Sequence, residues 1–194
     1  MTHEILITEF GGQGVLSMGR FLAQVGLMEG KEVSWLPSYG PEMRGGSAFC
    51  SVILSGEPIG SPVVTEPTCL MALSTPSLAR FVPSVQLGGL ILVNSSLVDI
   101  PVRRQDVCTL YIPCSELAAQ LGNTRVGNTI MMGAFLELTG ALSHTAAAKA
   151  MEEVFHDKPG LCKINLSAYE KGREWALSSA CVTAMRQMLL DKSR

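Results

Sequence analysis

Glu4-Ile5-Leu6-Ile7-Thr8-Glu9-Phe10, followed by Gly11-Gly12-Gln13-Gly14, opens the chain as an apolar run cut off by glycines. The run is short and rich in aliphatic and β-branched side chains, which predicts a buried strand. From Val15 the period changes. Val15, Leu16, Met18, Phe21, Leu22, Val25, Leu27 and Met28 recur at helical spacing over one wide face, and Gly30 supplies a stop. Residues 32–36 read as a second strand. Strand, glycine turn, helix and strand together begin a parallel α/β sheet.

Further along, residues 37–46 are a loop by composition and 47–54 a strand, with a turn at 55–58. Residues 59–64 are expected to pair back or run along an edge. Strands are predicted at 68–73, 90–94 and 106–112, and a short helix at 76–82 with Pro76 in its first turn. Ser115 is the expected N-cap of a helix to residue 121. The last third is helical: Asn128 is expected to cap 129–142, Ser143 or Thr145 to cap a stretch to 155, and 166–190 carries a helical pattern around Gly172. No repeat or linker divides the chain, so residues 1–194 form one domain of α/β class, with a mostly parallel sheet and a helical C-terminal third.

The chain has 194 residues, 47% of them hydrophobic and 16% charged. So many apolar groups with so few charges exclude disorder as the main state. A net charge of −2 argues against nucleic acid as a partner, which needs a basic excess. The low charge fraction suits either a subunit of a larger complex or an apolar-rich monomer. No apolar run reaches the ~18 residues of a membrane span. The first residues lack the basic start of a signal peptide, so a cytoplasmic location is expected. Six cysteines occur without a CxxC pair, which makes a zinc or iron–sulfur site on this chain unexpected and buried free thiols expected.

Of 19 glycines, 11 lie in the first 60 residues, which puts the working surface near the two N-terminal loops. A glycine turn between strand and helix suits an anion, because backbone N–H groups and the helix dipole point outward. The dinucleotide fingerprint fails: Gly12-x-Gly14-x-x-Ser17 lacks the third glycine, and Trp35-Leu36-Pro37 offers no acid for a ribose. The P-loop fails as well, since Gly14-x4-Gly19-Arg20-Phe21 lacks the Lys and the hydroxyl. A generic phosphate or carboxylate cradle and a turn needed only for packing both stay open.

The stretch from Ser38 to Gly46 holds Tyr39, Glu42 and Arg44 among glycines and a proline, a stiff setting that can fix a guanidinium against a ligand or a partner subunit. It follows the second strand and so belongs at the same carboxyl edge as the glycine turn. No catalytic centre is legible. His3, His144 and His156 are scattered, and no nucleophile elbow or paired acids occur. Asn123, Arg125 and Asn128 flank Gly122 and Gly127, where they either complete a site or shape a helix start.

Phe10-Gly11-Gly12-Gln13-Gly14-Val15 and Ser38-Tyr39-Gly40-Pro41-Glu42-Met43-Arg44-Gly45-Gly46 resemble the two signatures of the gamma subunit of 2-oxoacid:ferredoxin oxidoreductases. Matches continue through Ile59 to Val63, Gly88-Gly89-Leu90-Ile91, Leu121-Gly122-Asn123, Asn128-Thr129 with Gly133-Ala134, Lys163-Ile164-Asn165 and Gly172. The resemblance covers nearly the whole chain.

It implies a Rossmann-like three-layer domain that carries neither thiamine nor cluster and has no catalytic residues of its own. Coenzyme A is the implied co-substrate. Thiamine diphosphate, Mg2+ and iron–sulfur clusters belong to the alpha and beta (and a delta) subunits, and ferredoxin takes the electrons. The implied contacts to coenzyme A or to the alpha subunit are Gly11, Gly12, Gln13, Gly14, Val15, Ser38, Tyr39, Arg44, Gly45, Gly46 and Asn128. The tyrosine-bearing second signature is closer to the 2-oxoglutarate and branched-chain enzymes, with 2-oxoglutarate to succinyl-CoA the expected reaction. Alternatives are an assembly module without a ligand, the beta subunit of indolepyruvate ferredoxin oxidoreductase, and, more remotely, a stand-alone NAD(P)-binding enzyme. Isolated, such a chain is expected to self-associate through apolar patches.

Overall fold

A computed structural model describes residues 1–10, 14–38 and 47–181. Along them run the strands β1 (His3–Phe10), β2 (Glu32–Ser38), β3 (Ser47–Ser55), β4 (Cys69–Ala72), β5 (Leu90–Asn94) and β6 (Cys108–Ile112). The helices are α1 (Val15–Met28), α2 (Thr75–Phe81), α3 (Cys114–Gln120), α4 (Gly127–Thr139), α5 (His144–Val154) and α6 (Pro159–Leu177).

The strands form one sheet in the order β2-β3-β1-β4-β5-β6. β1, β4, β5 and β6 pair in parallel, and β3 runs antiparallel between β1 and β2. The reversed β3 has a direct consequence for the two signature loops. Phe10 pairs with Ser47, and Ser38 pairs with Phe49, so β1 and β2 end side by side at the start of β3. Both loops therefore leave from one edge, as the sequence predicts.

Period-two alternation sorts the sheet's side chains into two cores. Ile5, Ile7, Val52, Met71, Leu92 and Leu110 face the layer made by α1, α3, α4, α5 and α6. Leu6, Leu70, Ala72, Ile91 and Val93 face Leu78 of α2 and Val85. The sheet thus has helices on both sides, five against one, in the three layers expected. At the outer margin, Trp175 Nε1 donates to the carbonyl of Tyr111 at 2.9 Å, and Cys181 Sγ donates to the carbonyl of Thr109 at 3.2 Å. These side chains take up acceptors that the last strand, β6, would otherwise leave bare.

Several boundaries differ from the sequence reading. Residues 59–64 join no strand. Ser115 is not a cap: α3 begins at Cys114 behind Pro113, without a side-chain cap. Asn128 is not a cap either. It lies inside the first turn of α4, because Asn123 caps a 3-10 turn over Thr124–Val126 that runs straight into the helix. The last helix starts at Pro159, ahead of the apolar pattern, since Pro fits a first turn whatever the polarity around it. Ser143 does cap α5, accepting from the Ala146 N–H at 3.1 Å. All six cysteines are free, and all but the half-buried Cys162 are buried. Among the described residues, no helix is long and apolar enough to cross a membrane.

Candidate functional site

β1 has β3 on one side and β4 on the other, and the chain leaves β1 and β4 toward opposite faces through α1 and α2. This is the switch point at which open α/β sheets bind ligands. A cavity of about 900 Å³ opens at that carboxyl edge, between the starts of α1, α3 and α4 and the end of α5. Its size falls in the range of small-molecule sites.

One wall is apolar, with Met18, Phe21, Leu73, Met132 and Phe155. The cavity's buried polar lining is neutral. Asn94, at the end of β5, is 4% exposed; its Nδ2 donates to Ser115 Oγ at 3.5 Å, and its Oδ1 accepts from the Ser96 N–H at 3.2 Å. Thr129 Oγ1 donates to Asn165 Oδ1 at 2.7 Å, and Asn165 Nδ2 donates to the Leu161 carbonyl at 2.8 Å. The second bond fixes the Asn165 amide, and the first joins α4 to α6 beneath the cavity. Arg20 and Arg125 also line it.

Of the residues singled out from sequence, Gly14 and Asn128 meet in this cavity. Gly14 holds φ +93°, a left-handed conformation that favours glycine, and a Cβ there would come within 3.0 Å of Asn128 Nδ2. Val15 turns its side chain into the core, fully buried, and its N–H donates to Glu9 Oε2 at 3.4 Å. Ser38 ends β2 on the shared edge but does not line the cavity. Gly11, Gly12, Gln13, Tyr39, Arg44, Gly45 and Gly46 lie outside the described residues.

The sequence reading missed Asn94, Thr129, Asn165 and Glu9 as site elements. For Asn94 a signal existed: it is the one polar residue in Leu90-Ile91-Leu92-Val93-Asn94, and it sits at the carboxyl end. Glu9 carried one too, as an acid within a run read as buried, and it is 3% exposed.

The thiols nearby are not poised for chemistry. Burial pushes the Cys50 thiol up to about 12, with Glu9's charge adding to the rise. Burial likewise pushes Cys114 up to about 12. Both stay protonated near neutrality and behave as small apolar groups. Among the described residues, no three His, Cys, Asp or Glu side chains are grouped to hold a metal ion. The described lining thus combines apolar side chains, neutral amides and hydroxyls, and two arginines.

A family model described as pyruvate ferredoxin/flavodoxin oxidoreductase matches residues 4–175. Ketoisovalerate oxidoreductase subunit VorA of Methanothermobacter thermautotrophicus is 42% identical over 174 residues, which is 89% of this chain and 36% of that protein. The chain thus spans about a third of the length of its VorA relatives. 2-Oxoglutarate synthase subunit KorC of Methanothermobacter marburgensis is 34% identical over 181 residues, 90% of this chain and 96% of that one. The crystal structure of a keto/oxoacid ferredoxin oxidoreductase gamma subunit from Geobacter sulfurreducens superposes with a TM-score of 0.77 at 29% identity, covering 91% of this chain and 99% of that one.

Proposed function

The chain belongs to the pyruvate ferredoxin/flavodoxin oxidoreductase family, and from that premise we propose that it is the gamma subunit of a cytoplasmic, coenzyme A-dependent 2-oxoacid:ferredoxin oxidoreductase. Its task in that complex is to hold coenzyme A and to pack against the alpha subunit. Decarboxylation on thiamine diphosphate and electron transfer through iron–sulfur clusters to ferredoxin belong to the partner subunits.

The observation that carries this reading is the cavity at the sheet's switch point. It offers neutral amides from Asn94, Asn128 and Asn165 together with apolar side chains such as Met18, Phe21 and Met132. Pantetheine is an amide-bearing, largely apolar arm and suits such a cleft. Gly14, with no side chain and a left-handed backbone, lets the arm pass close to the main chain. Gly11, Gly12, Gln13 and Val15, its neighbours in sequence, are assigned to the same contact. Ser38 ends β2 on the same edge, and with Tyr39, Arg44, Gly45 and Gly46, which follow it in sequence, it is assigned to contacts with coenzyme A or the alpha subunit.

The choice of 2-oxoacid rests on the other subunits. Relatives are named for ketoisovalerate and for 2-oxoglutarate alike, and 2-oxoglutarate to succinyl-CoA remains the reaction favoured by the tyrosine-bearing loop.

Oxygen-free purification through a tag on this chain tests the proposal. Thiamine- and cluster-bearing chains should co-purify, and the complex should form acyl-CoA from one oxoacid of a panel. Asn128→Leu in the same complex should raise the KM for coenzyme A about tenfold. An intact, active complex with an unchanged KM would reduce the chain to an assembly module.

A further inference from the structure

The start of α1 is already taken by the protein's own acid. Gly14 provides no side-chain cap, and in its place Glu9, buried at the end of β1, accepts from the Val15 N–H. That N–H, one of those a glycine turn ordinarily offers to a phosphate, is thereby occupied.

The cavity's cationic groups lie elsewhere. Arg20 on α1 and Arg125 before α4 both line it, and both are exposed. Among the described residues, neither side chain makes a hydrogen bond or ion pair. Among the other described arginines, Arg80 lies over the Phe81 ring, Arg104 holds Asp106 and two carbonyls, and Arg173 bridges Glu137 and Glu170, while Arg103 does not line the cavity. Arg20 and Arg125 thus bring unneutralised charge to one cleft whose buried polar groups, Asn94, Thr129 and Asn165, are neutral.

We propose that Arg20 and Arg125 form the phosphate site of this cavity, taking the 3′-phosphate of coenzyme A. The inference rests on the coenzyme A reading above. A phosphomonoester has three terminal oxygens and close to two negative charges, enough for two guanidinium groups, and it tolerates their exposed position. The neutral interior then faces the amide arm. The pair acts as a specificity device, separating coenzyme A from its 3′-dephospho form.

The test uses the complex purified through this chain, with KM measured for coenzyme A and for 3′-dephospho-coenzyme A. Replacing both arginines (Arg20→Ala with Arg125→Ala) should raise the KM for coenzyme A at least about tenfold. The KM for the dephospho form should move less than about twofold. Dependence of the coenzyme A KM on ionic strength should fall as well. Arg125→Gln alone should give a smaller shift of the same selectivity, and serves if the double variant does not assemble. Equal shifts for both thiols, or none, would overturn the phosphate site. Asn128→Leu separates the two failures. If it raises the KM while the arginine variants do not, only the phosphate assignment falls; if all leave it unchanged, the coenzyme A reading falls with it.

Discussion

A Cβ added to Gly172 would overlap the carbonyl oxygen of Ile130, and one added to Gly133 would overlap that of Tyr169. α4 and α6 therefore touch backbone to backbone, each at a glycine of the other's facing stripe. This contact holds the helical layer together and sets Asn165 against Thr129 under the cavity.

Gly172→Ala and Gly133→Ala should each destabilise the chain by about 3 kcal/mol, because the obstruction is main chain and cannot rotate away. Gly160→Ala, on the same α6 with nothing within 4 Å, should change stability by less than ~1 kcal/mol. Urea midpoints of the three variants check this, and equal losses at all three would refute the close approach.

Tyr169 is buried, and its hydroxyl meets His144 Nδ1 at 2.6 Å, while His144 Nε2 lies 3.2 Å from Glu137. Tyr169→Phe keeps the packing and breaks the link between α6 and α5. The expected cost is about 1–2 kcal/mol in equilibrium unfolding. A neutral outcome would mean that the hydroxyl contact contributes nothing.

Stability should fall as pH rises past the ordinary thiol value of 9.0. Burial raises Cys50 and Cys114 to about 12, and it raises Cys69 as well. Their protons are held in the fold and released on unfolding, so the unfolded state binds fewer protons above pH 9.0. The contribution is fully present below that value and is lost as pH climbs toward the folded values. Each thiol should remove up to ~1.4 kcal/mol per pH unit in that window. Replacing the three by Ala should flatten the slope of urea midpoint against pH; a slope unchanged by the replacement would assign the loss to other groups.

Gly14→Ala forces a side chain into a left-handed backbone and against Asn128. The expected penalty is about 1–2 kcal/mol of stability, together with a raised KM for coenzyme A in the assembled enzyme. Steady-state kinetics check the second part, and a raised KM is what separates a site residue from a turn residue.

What the sequence revealed depended on how local each signal was. The apolar run to Phe10, the glycines and the helical period after Val15 are contiguous, and β1 and α1 follow them closely. The place of β3 between β1 and β2 is set by pairing across the sheet and has no local signature. Asn128 was misread as a cap because Asn123, five positions earlier, already starts the turn that leads into α4. The cavity itself is distributed. Gly14, Asn94, Asn128 and Asn165 come from four separate elements or turns, and only the fold makes them neighbours. Glu9 shows the converse: its charge was visible, but its role at the helix start depends on a reach from strand to helix that residue order does not express.

The guarded margin of β6 bears on how the protein lives among others. Trp175 and Cys181 occupy its outer carbonyls, and at the opposite margin Pro37 leaves β2 without one N–H. At those positions a neighbouring strand could not complete its ladder, so among the described residues both margins are less open to edge-to-edge pairing than bare strands would be.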